Sequence, residues 1–330
     1  MYNLIVIGAT SDICRNKVYK NINSLGFLNK IYCYGWENWK TSDLQDYFLN
    51  DVKGDISNLI GKIEFVKGDY NDYSITLRHL IDCNTIVYVA TPPLCYKKII
   101  HDLGCTEGKL VFEKPFASNS DEFNDISKYV TQNVYLMDHF LYKSDINNVI
   151  SKYRNKDINY IGFHFLYSDD VEKRLGYFDK SGLFKDMFQC HYLSTVYRLL
   201  GEKTKNLLDA DIIKNTRKQY VNYGGSKDTD TYFYLELVCD GCRCVFESGK
   251  ASRDKREIVV NNERFTINSY EDEYTHFFNG LIYDKYSSVL EQQDLFWKIF
   301  NKYDNDYKNN GTLSYYHKYD KYNHIGHELQ

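Results

Sequence analysis

The chain has 330 residues, 43% of them hydrophobic, and a formal net charge of −4. That length fits two domains with a sizeable core; the weakly acidic balance argues against general nucleic-acid binding, and no run of about 18 apolar residues is there to span a membrane. Nine cysteines, scattered singly apart from Cys239-Asp240-Gly241-Cys242-Arg243-Cys244, read as reduced thiols rather than a disulfide framework, and with no basic leader before the first apolar run the expected location is the cytoplasm.

Residues 3 to 8 predict a strand that runs into Gly8-Ala9-Thr10-Ser11-Asp12, after which Ile13, Val18, Ile22 and Leu25 recur at helical spacing. This is the strand-turn-helix that opens a dinucleotide fold, although only Gly8 of a G-x-G-x-x-G-like pattern is present. A second strand, Lys30 to Tyr34, ends in Gly35-Trp36-Glu37-Asn38. An acid at this strand end binds a ribose 2′-OH and an arginine accommodates a 2′-phosphate; Glu37 reads either as such a ligand or as a solvated loop residue. Further strands are predicted near Glu64 to Val66, at Thr85 to Ala90 leading into Thr91-Pro92-Pro93, and at Lys109 to Phe112 leading into Glu113-Lys114-Pro115-Phe116, with a helix over about Tyr73 to Ile81. The apolar run Val134-Tyr135-Leu136-Met137 then delivers Asp138-His139-Phe140-Leu141-Tyr142-Lys143. An acid, an imidazole and an ammonium at one strand end form a polar cluster where α/β enzymes put their chemistry.

A first domain over 1–146 and a second over 147–330 follow. In the second, Ile158 to Leu166 is strand-like and runs into Tyr167 and the charged stretch after it. Gly176 to His191 reads as a helix opening after a glycine turn. On an α-helix, Asp186 and His191 lie about 140° apart around the axis. Thr229 to Val238 and Cys242 to Glu247 alternate as antiparallel strands, and Asp240-Gly241 between them reads as a hairpin turn in preference to half a zinc site. His324-x-x-His327 is a weaker metal signal still.

Taken together, the motifs resemble those of the glucose-6-phosphate dehydrogenases. Asp138 to Lys143 is similar to D-H-Y-L-G-K, and Gly176 to His191 to G-Y-Y/F-D-x-x-G-x-x-R-D-M-x-Q-N-H. Gly8 to Tyr19 resembles G-A-S-G-D-L-A-K-x-K-x-Y, Tyr88 to Pro93 resembles Y-x-A-x-P-P, and Lys109 to Phe116 resembles R-I-I-V-E-K-P-F-G. Ser248 to Arg256 looks like S/C-G-K-A-L-x-x-x-R/K, Glu271 to Tyr274 looks like the family's D-A-Y helix start, and Asp294 to Trp297 aligns loosely with D-E-x-x-x-x-W.

The resemblance implies an α/β Rossmann-type N-terminal domain followed by an α+β domain with a large, mostly antiparallel sheet. It implies oxidation of glucose 6-phosphate at C1 to the lactone with hydride transfer to NADP or NAD. His191 would be the catalytic base and Asp138 its supporting acid. The substrate would be held by His139, Lys143, Lys114, Asp186, Lys17, Lys250, Lys255 and the position of Tyr167. Gly8, Thr10, Ser11, Asp12, Ile13, Trp36, Glu37, Ala90, Thr91, Pro92 and Lys114 would hold the cofactor. A homodimer through the second-domain sheet is expected, with no metal. The chain departs from the pattern at Ser11 (glycine in the family), Trp36 (the arginine that marks NADP use), Phe140 (tyrosine), Tyr142 (glycine) and Tyr167 (a substrate-binding glutamate), and it is shorter by a large segment of the second domain. These departures keep two alternatives open, a dehydrogenase of another sugar or sugar phosphate and a weakly active binding protein.

Overall fold

The computed structural model describes residues 1–69, 71, 73–172, 175–268, 272–282 and 290–319. The chain divides into two compact units, Met1–Lys143 with Tyr270–Asp294, and Ser144–Ser269 with Leu295–Gln330.

The first unit alternates strands and helices: β1 (Tyr2–Ile7), a wide helical turn Cys14–Val18 continuing as α1 (Tyr19–Ile22), β2 (Leu28–Gly35), α2 (Thr41–Asp51), β3 (Ile63–Lys67), α3 (Tyr73–Leu77), β4 (Thr85–Val89), α4 (Tyr96–Leu103), β5 (Lys109–Glu113), α5 (Ser120–Ser127) and β6 (Val134–Met137). All strand pairs are parallel, in the order β3-β2-β1-β4-β5-β6. Every residue of β4 is buried, the signature of a strand covered on both faces by crossover helices. The strand order reverses between β1 and β4, and a doubly wound sheet binds its ligand in the crevice at the carboxyl ends of those strands.

The second unit opens with α6 (Ser144–Tyr153) and β7 (Tyr160–Leu166). It continues through α7 (Leu175–Phe184), a π-helical segment Lys185–Tyr192 and α8 (Leu193–Leu200), then β8 (Asp211–Tyr220), β9 (Tyr232–Cys239), β10 (Cys242–Gly249), β11 (Lys255–Val260) and β12 (Glu263–Thr266). Next α9 (Glu273–Ile282) packs on α1 in the first unit, although it lies within the 147–330 stretch read from sequence as the second domain. Most of α10 (Leu290–Asn310) and β13 (Ser314–Tyr316) complete the second unit. Its sheet runs β12-β11-β7-β10-β9-β8-β13, antiparallel except for the β7–β10 and β8–β13 pairs. The expected fold class is borne out in both units.

The Asp240-Gly241 turn is a tight hairpin, with φ of 49° and 76° at its two central residues, the left-handed pair that matches strand twist. His324, His327 and Glu271 lie outside the described residues.

The helical run from 175 to 200 is not one regular helix. Gly182 breaks it with φ of 64°. Beyond the break the Phe184 N–H donates to a carboxylate oxygen of Asp230 at 2.7 Å, so a side chain from the residues just before β9 satisfies the new helix start. The following segment is then clamped by aromatic packing: Phe184 stacks on Phe188 at 4.8 Å, Phe188 meets Phe246 edge-on at 4.9 Å, and Tyr192 stacks on Phe163 at 4.8 Å. Two rings from the helix against rings from β7 and β10 fix its rotation on the sheet.

Candidate active site

In the first unit the turn after β1 is built around Gly8, whose φ is +82°. A Cβ there would lie 3.0 Å from the Ala90 carbonyl oxygen and 3.1 Å from Thr91 Cγ2, so only glycine lets the turn close against the end of β4. The Ser11 N–H donates to the Gly8 carbonyl at 3.0 Å, and the Ser11 hydroxyl accepts from the Cys14 N–H at 3.4 Å. Ser11 thus caps the helix that follows. Asp12 is ion-paired with Arg15, and its carbonyl accepts from the Asn16 amide at 2.8 Å. Ile13 is half-buried, Pro92 is exposed, and Thr91 is buried with no partner for its hydroxyl. A glycine turn, a helix start and an unsatisfied hydroxyl at the strand-order switch fit a dinucleotide, whose phosphates seek backbone N–H groups at such a place.

At the end of β2, Trp36 is 68% exposed, whereas Glu37 folds back: its carboxylate accepts from the Thr10 hydroxyl at 2.9 Å. At the ends of β5 and β6, Lys114 Nζ lies 3.2 Å from Asp138 Oδ2, both side chains 1% exposed. The second Asp138 oxygen accepts from the Phe140 N–H at 3.1 Å. His139 and Lys143 are half-buried on the turn that follows. Phe140 and Tyr142 are buried, Tyr142 against Phe277 of α9 at 5.1 Å. Lys17 pairs with the buried Glu273 at 3.5 Å.

Glu113, next to Lys114, was not singled out by the sequence. Its carboxylate accepts from the Tyr88 hydroxyl and, at 2.9 Å, from Tyr274 of α9; its backbone carbonyl accepts from Tyr96 at 3.3 Å. Burial pushes this carboxyl up to about 7, and the Tyr88 and Tyr274 hydroxyls and the Lys17 charge pull it partly back.

In the second unit, Asp186 and His191 both fall in the π-helical segment, where the Leu193 N–H reaches back five residues to the Phe188 carbonyl. Hydrogen bonds between i and i+5 bring positions five apart nearly over one another. This corrects the expectation of side chains about 140° apart, which assumed α geometry. His191 is buried and Asp186 half-buried. Asp186 is close enough to Tyr167 for its charge to push the Tyr167 hydroxyl up, after burial and against the opposing pull of Arg256. Lys250 sits over the Tyr167 ring at 3.9 Å and Arg256 at 5.3 Å. The unit therefore gathers Tyr167, Lys250, Arg256 and Asp186 in one neighbourhood.

Lys255 points to the other sheet face, 2.9 Å from Glu257. On that face His164 Nδ1 lies 2.7 Å from Glu247, which also accepts from the Tyr232 hydroxyl at 2.8 Å. Strand alternation decides between the adjacent cations: Lys255 and Arg256 cannot share a face, and the family-like spacing picked the first.

Residues 5–148 match the family model described as glucose-6-phosphate dehydrogenase, NAD binding domain. The chain is 23% identical over 276 residues to glucose-6-phosphate 1-dehydrogenase 2 of Mus musculus, covering 71% of this chain and 54% of that protein. It is 27% identical over 250 residues to glucose-6-phosphate 1-dehydrogenase of Buchnera aphidicola, covering 64% and 51%. The chain spans about half the length of these curated relatives. In fold it is similar to a glucose-6-phosphate dehydrogenase solved with glucose 6-phosphate, with a TM-score of 0.78 and 16% identity over 96% of this chain and 94% of that one. The glycine turn after β1 and the strand-end Lys114–Asp138 pair lie inside the matched stretch, and in it the chain is similar to the nucleotide-binding domain of the glucose-6-phosphate dehydrogenases.

Proposed function

We propose that the chain is a sugar-phosphate dehydrogenase that oxidises glucose 6-phosphate at C1 to 6-phosphogluconolactone. The observation that carries this reading is the Lys114–Asp138 pair at the carboxyl ends of β5 and β6, both side chains 1% exposed. Burying two opposite charges costs several kcal/mol in desolvation, which packing alone gives no reason to bear. A parallel sheet holds its reacting groups at this end.

In this mechanism the His191 imidazole, as general base, takes the proton of the C1 hydroxyl. Asp138 acts in the same proton transfer by favouring the charged imidazole. His139 and Lys143 hold the phosphate through charge-assisted bonds, Lys250 and Arg256 add positive field, and Asp186 accepts from a sugar hydroxyl. Gripping the phosphate, remote from C1, turns binding into orientation. A bound nicotinamide supplies the hydride acceptor. With the hydroxyl proton on the base and the C1 hydrogen gone as hydride, the exocyclic C1–O bond becomes the lactone carbonyl.

A second reading, another sugar or sugar phosphate with the same machinery, is favoured by Tyr167. Its ring under Lys250 replaces a glutamate that accepts hydroxyl hydrogen bonds. The test is the rise in absorbance at the reduced-nicotinamide band with glucose 6-phosphate, then with a panel of aldose phosphates and free aldoses. Turnover of glucose 6-phosphate that falls by about 10²- to 10⁴-fold in His191→Asn, with cofactor affinity kept, supports the first reading. Turnover of a different sugar alone supports the second. Tight dinucleotide binding with no turnover of any sugar refutes both and leaves a binding protein. A cytoplasmic location and a homodimer through the second-unit sheet belong to the same proposal, the dimer being tested by light scattering of the purified chain.

A further inference from the structure

We infer that Glu37 makes this chain selective for NAD over NADP, by accepting the 2′-hydroxyl of the adenosine ribose and repelling a 2′-phosphate. The inference rests on the dinucleotide-binding reading of the first unit and adds to it the identity of the cofactor.

Three observations carry it. Glu37 could have pointed to solvent like its neighbour Trp36, but its Oε1 accepts from the Thr10 hydroxyl at 2.9 Å, inside the turn that would cradle the phosphates. Its Oε2 is buried and has no hydrogen-bond partner. A buried carboxylate oxygen left unsatisfied is costly unless a ligand completes it, and a ribose hydroxyl donor is what this strand end receives in a dinucleotide fold. Finally, the place is cleared for the carboxylate: a Cβ on Gly35 would come within 2.2 Å of Glu37 Oε2, so the glycine at the end of β2 is what admits it.

The loop is anchored immediately after the carboxylate. Asn38 accepts from Lys67 at 3.0 Å, Trp39 packs on Tyr47 and Phe65 with ring centroids 5.5 and 5.8 Å away, and the Lys40 N–H donates to Asp43 at 2.7 Å. Of the cations at this end, Lys67 is engaged by Asn38, Lys40 is exposed, and Arg15 is ion-paired with Asp12 while its Nε is buried without a hydrogen-bond partner. A 2′-phosphate would bring its charge against Glu37, and like charges about 5 Å apart in a half-buried site cost enough to weaken binding about tenfold or more.

The test titrates the full-length chain with NADH and with NADPH, following the nicotinamide fluorescence, and repeats both with Glu37→Gln. The carboxamide keeps the Thr10 hydrogen bond and the volume but removes the charge. The expected result is NADH binding at least about tenfold tighter than NADPH in the wild type, with the ratio falling to about threefold or less in Glu37→Gln, mostly through a gain in NADPH affinity. Wild-type protein that binds NADPH as tightly as NADH overturns the inference while the dinucleotide reading stands. So does a ratio unchanged in a Glu37→Gln chain that still unfolds cooperatively. Failure to bind either dinucleotide overturns the underlying reading, and the inference with it.

Discussion

Replacing Glu113 by glutamine should change how stability depends on pH. The carboxyl at the end of β5 is raised from 4.5 to about 7 in the folded chain, chiefly by burial. Between those two values the folded state holds a proton that the unfolded chain has released, so wild-type stability falls as pH rises through this window and levels off above it. A shift of this size is worth about 3 kcal/mol in full, of which about 2 to 3 kcal/mol is lost between pH 5 and pH 8. Glutamine cannot ionise, yet its carboxamide oxygen still accepts from Tyr88 and Tyr274, so Glu113→Gln should lack this loss. Urea unfolding at the two pH values checks it. Relative to the wild type, the variant midpoint should gain about 1 M on going from pH 5 to pH 8, taking an m-value of about 2 to 3 kcal/mol per molar. If wild type and variant move in parallel between pH 5 and pH 8, Glu113 has an ordinary carboxyl and the argument from its burial is wrong.

Two further predictions concern stability. Lys114→Met strips the cation facing a buried carboxylate and should cost about 3 to 5 kcal/mol; adding Asp138→Asn should return part of it, and a double variant no more stable than the single one would refute the pairing. Gly182→Ala places a Cβ 2.6 Å from Asp230 Oδ1 at a φ of +64°, and the strain should cost about 1 to 3 kcal/mol, read as a lowered melting temperature. A neutral effect would mean that the break before Phe184 is not tied to Asp230.

The parallel sheet of the first unit was legible because buried strands write themselves as short apolar runs, and Thr85 to Val89 carries no charge at all. The strand-end residues could be found for the same reason, since chemistry in such sheets gathers where those runs stop. Less was visible wherever one residue of register decides the outcome. Nothing in the composition of Lys185 to Tyr192 marks i to i+5 bonding, so Asp186 and His191 looked divergent. Lys255 and Arg256 are neighbours of like charge, and only the pairing of β11 with β7 says which one faces Tyr167. The direction of Glu37 depended on the missing side chain of Gly35 two positions earlier, a steric fact rather than a pattern. The return of α9 to the first unit rests on Tyr274 reaching Glu113, a contact 161 positions apart in sequence.

The wide turn between Lys185 and Tyr192 amounts to slack in the helix, one residue more than ordinary winding would use. Removing that slack, for instance by deleting Met187, would let the segment settle into tighter and intrinsically better winding. Because a wide turn absorbs one extra residue without changing the phase on either side, the deletion would leave the flanks nearly in register, and the acid and the imidazole, now four apart, would still share a face. The disruptive change is the opposite one: the same residues wound tightly with none removed would return Asp186 and His191 to about 140° apart and turn the ring of Tyr192 away from its place on the sheet. The looser winding is what lets two groups five apart stand together while the rings on either side keep their seats.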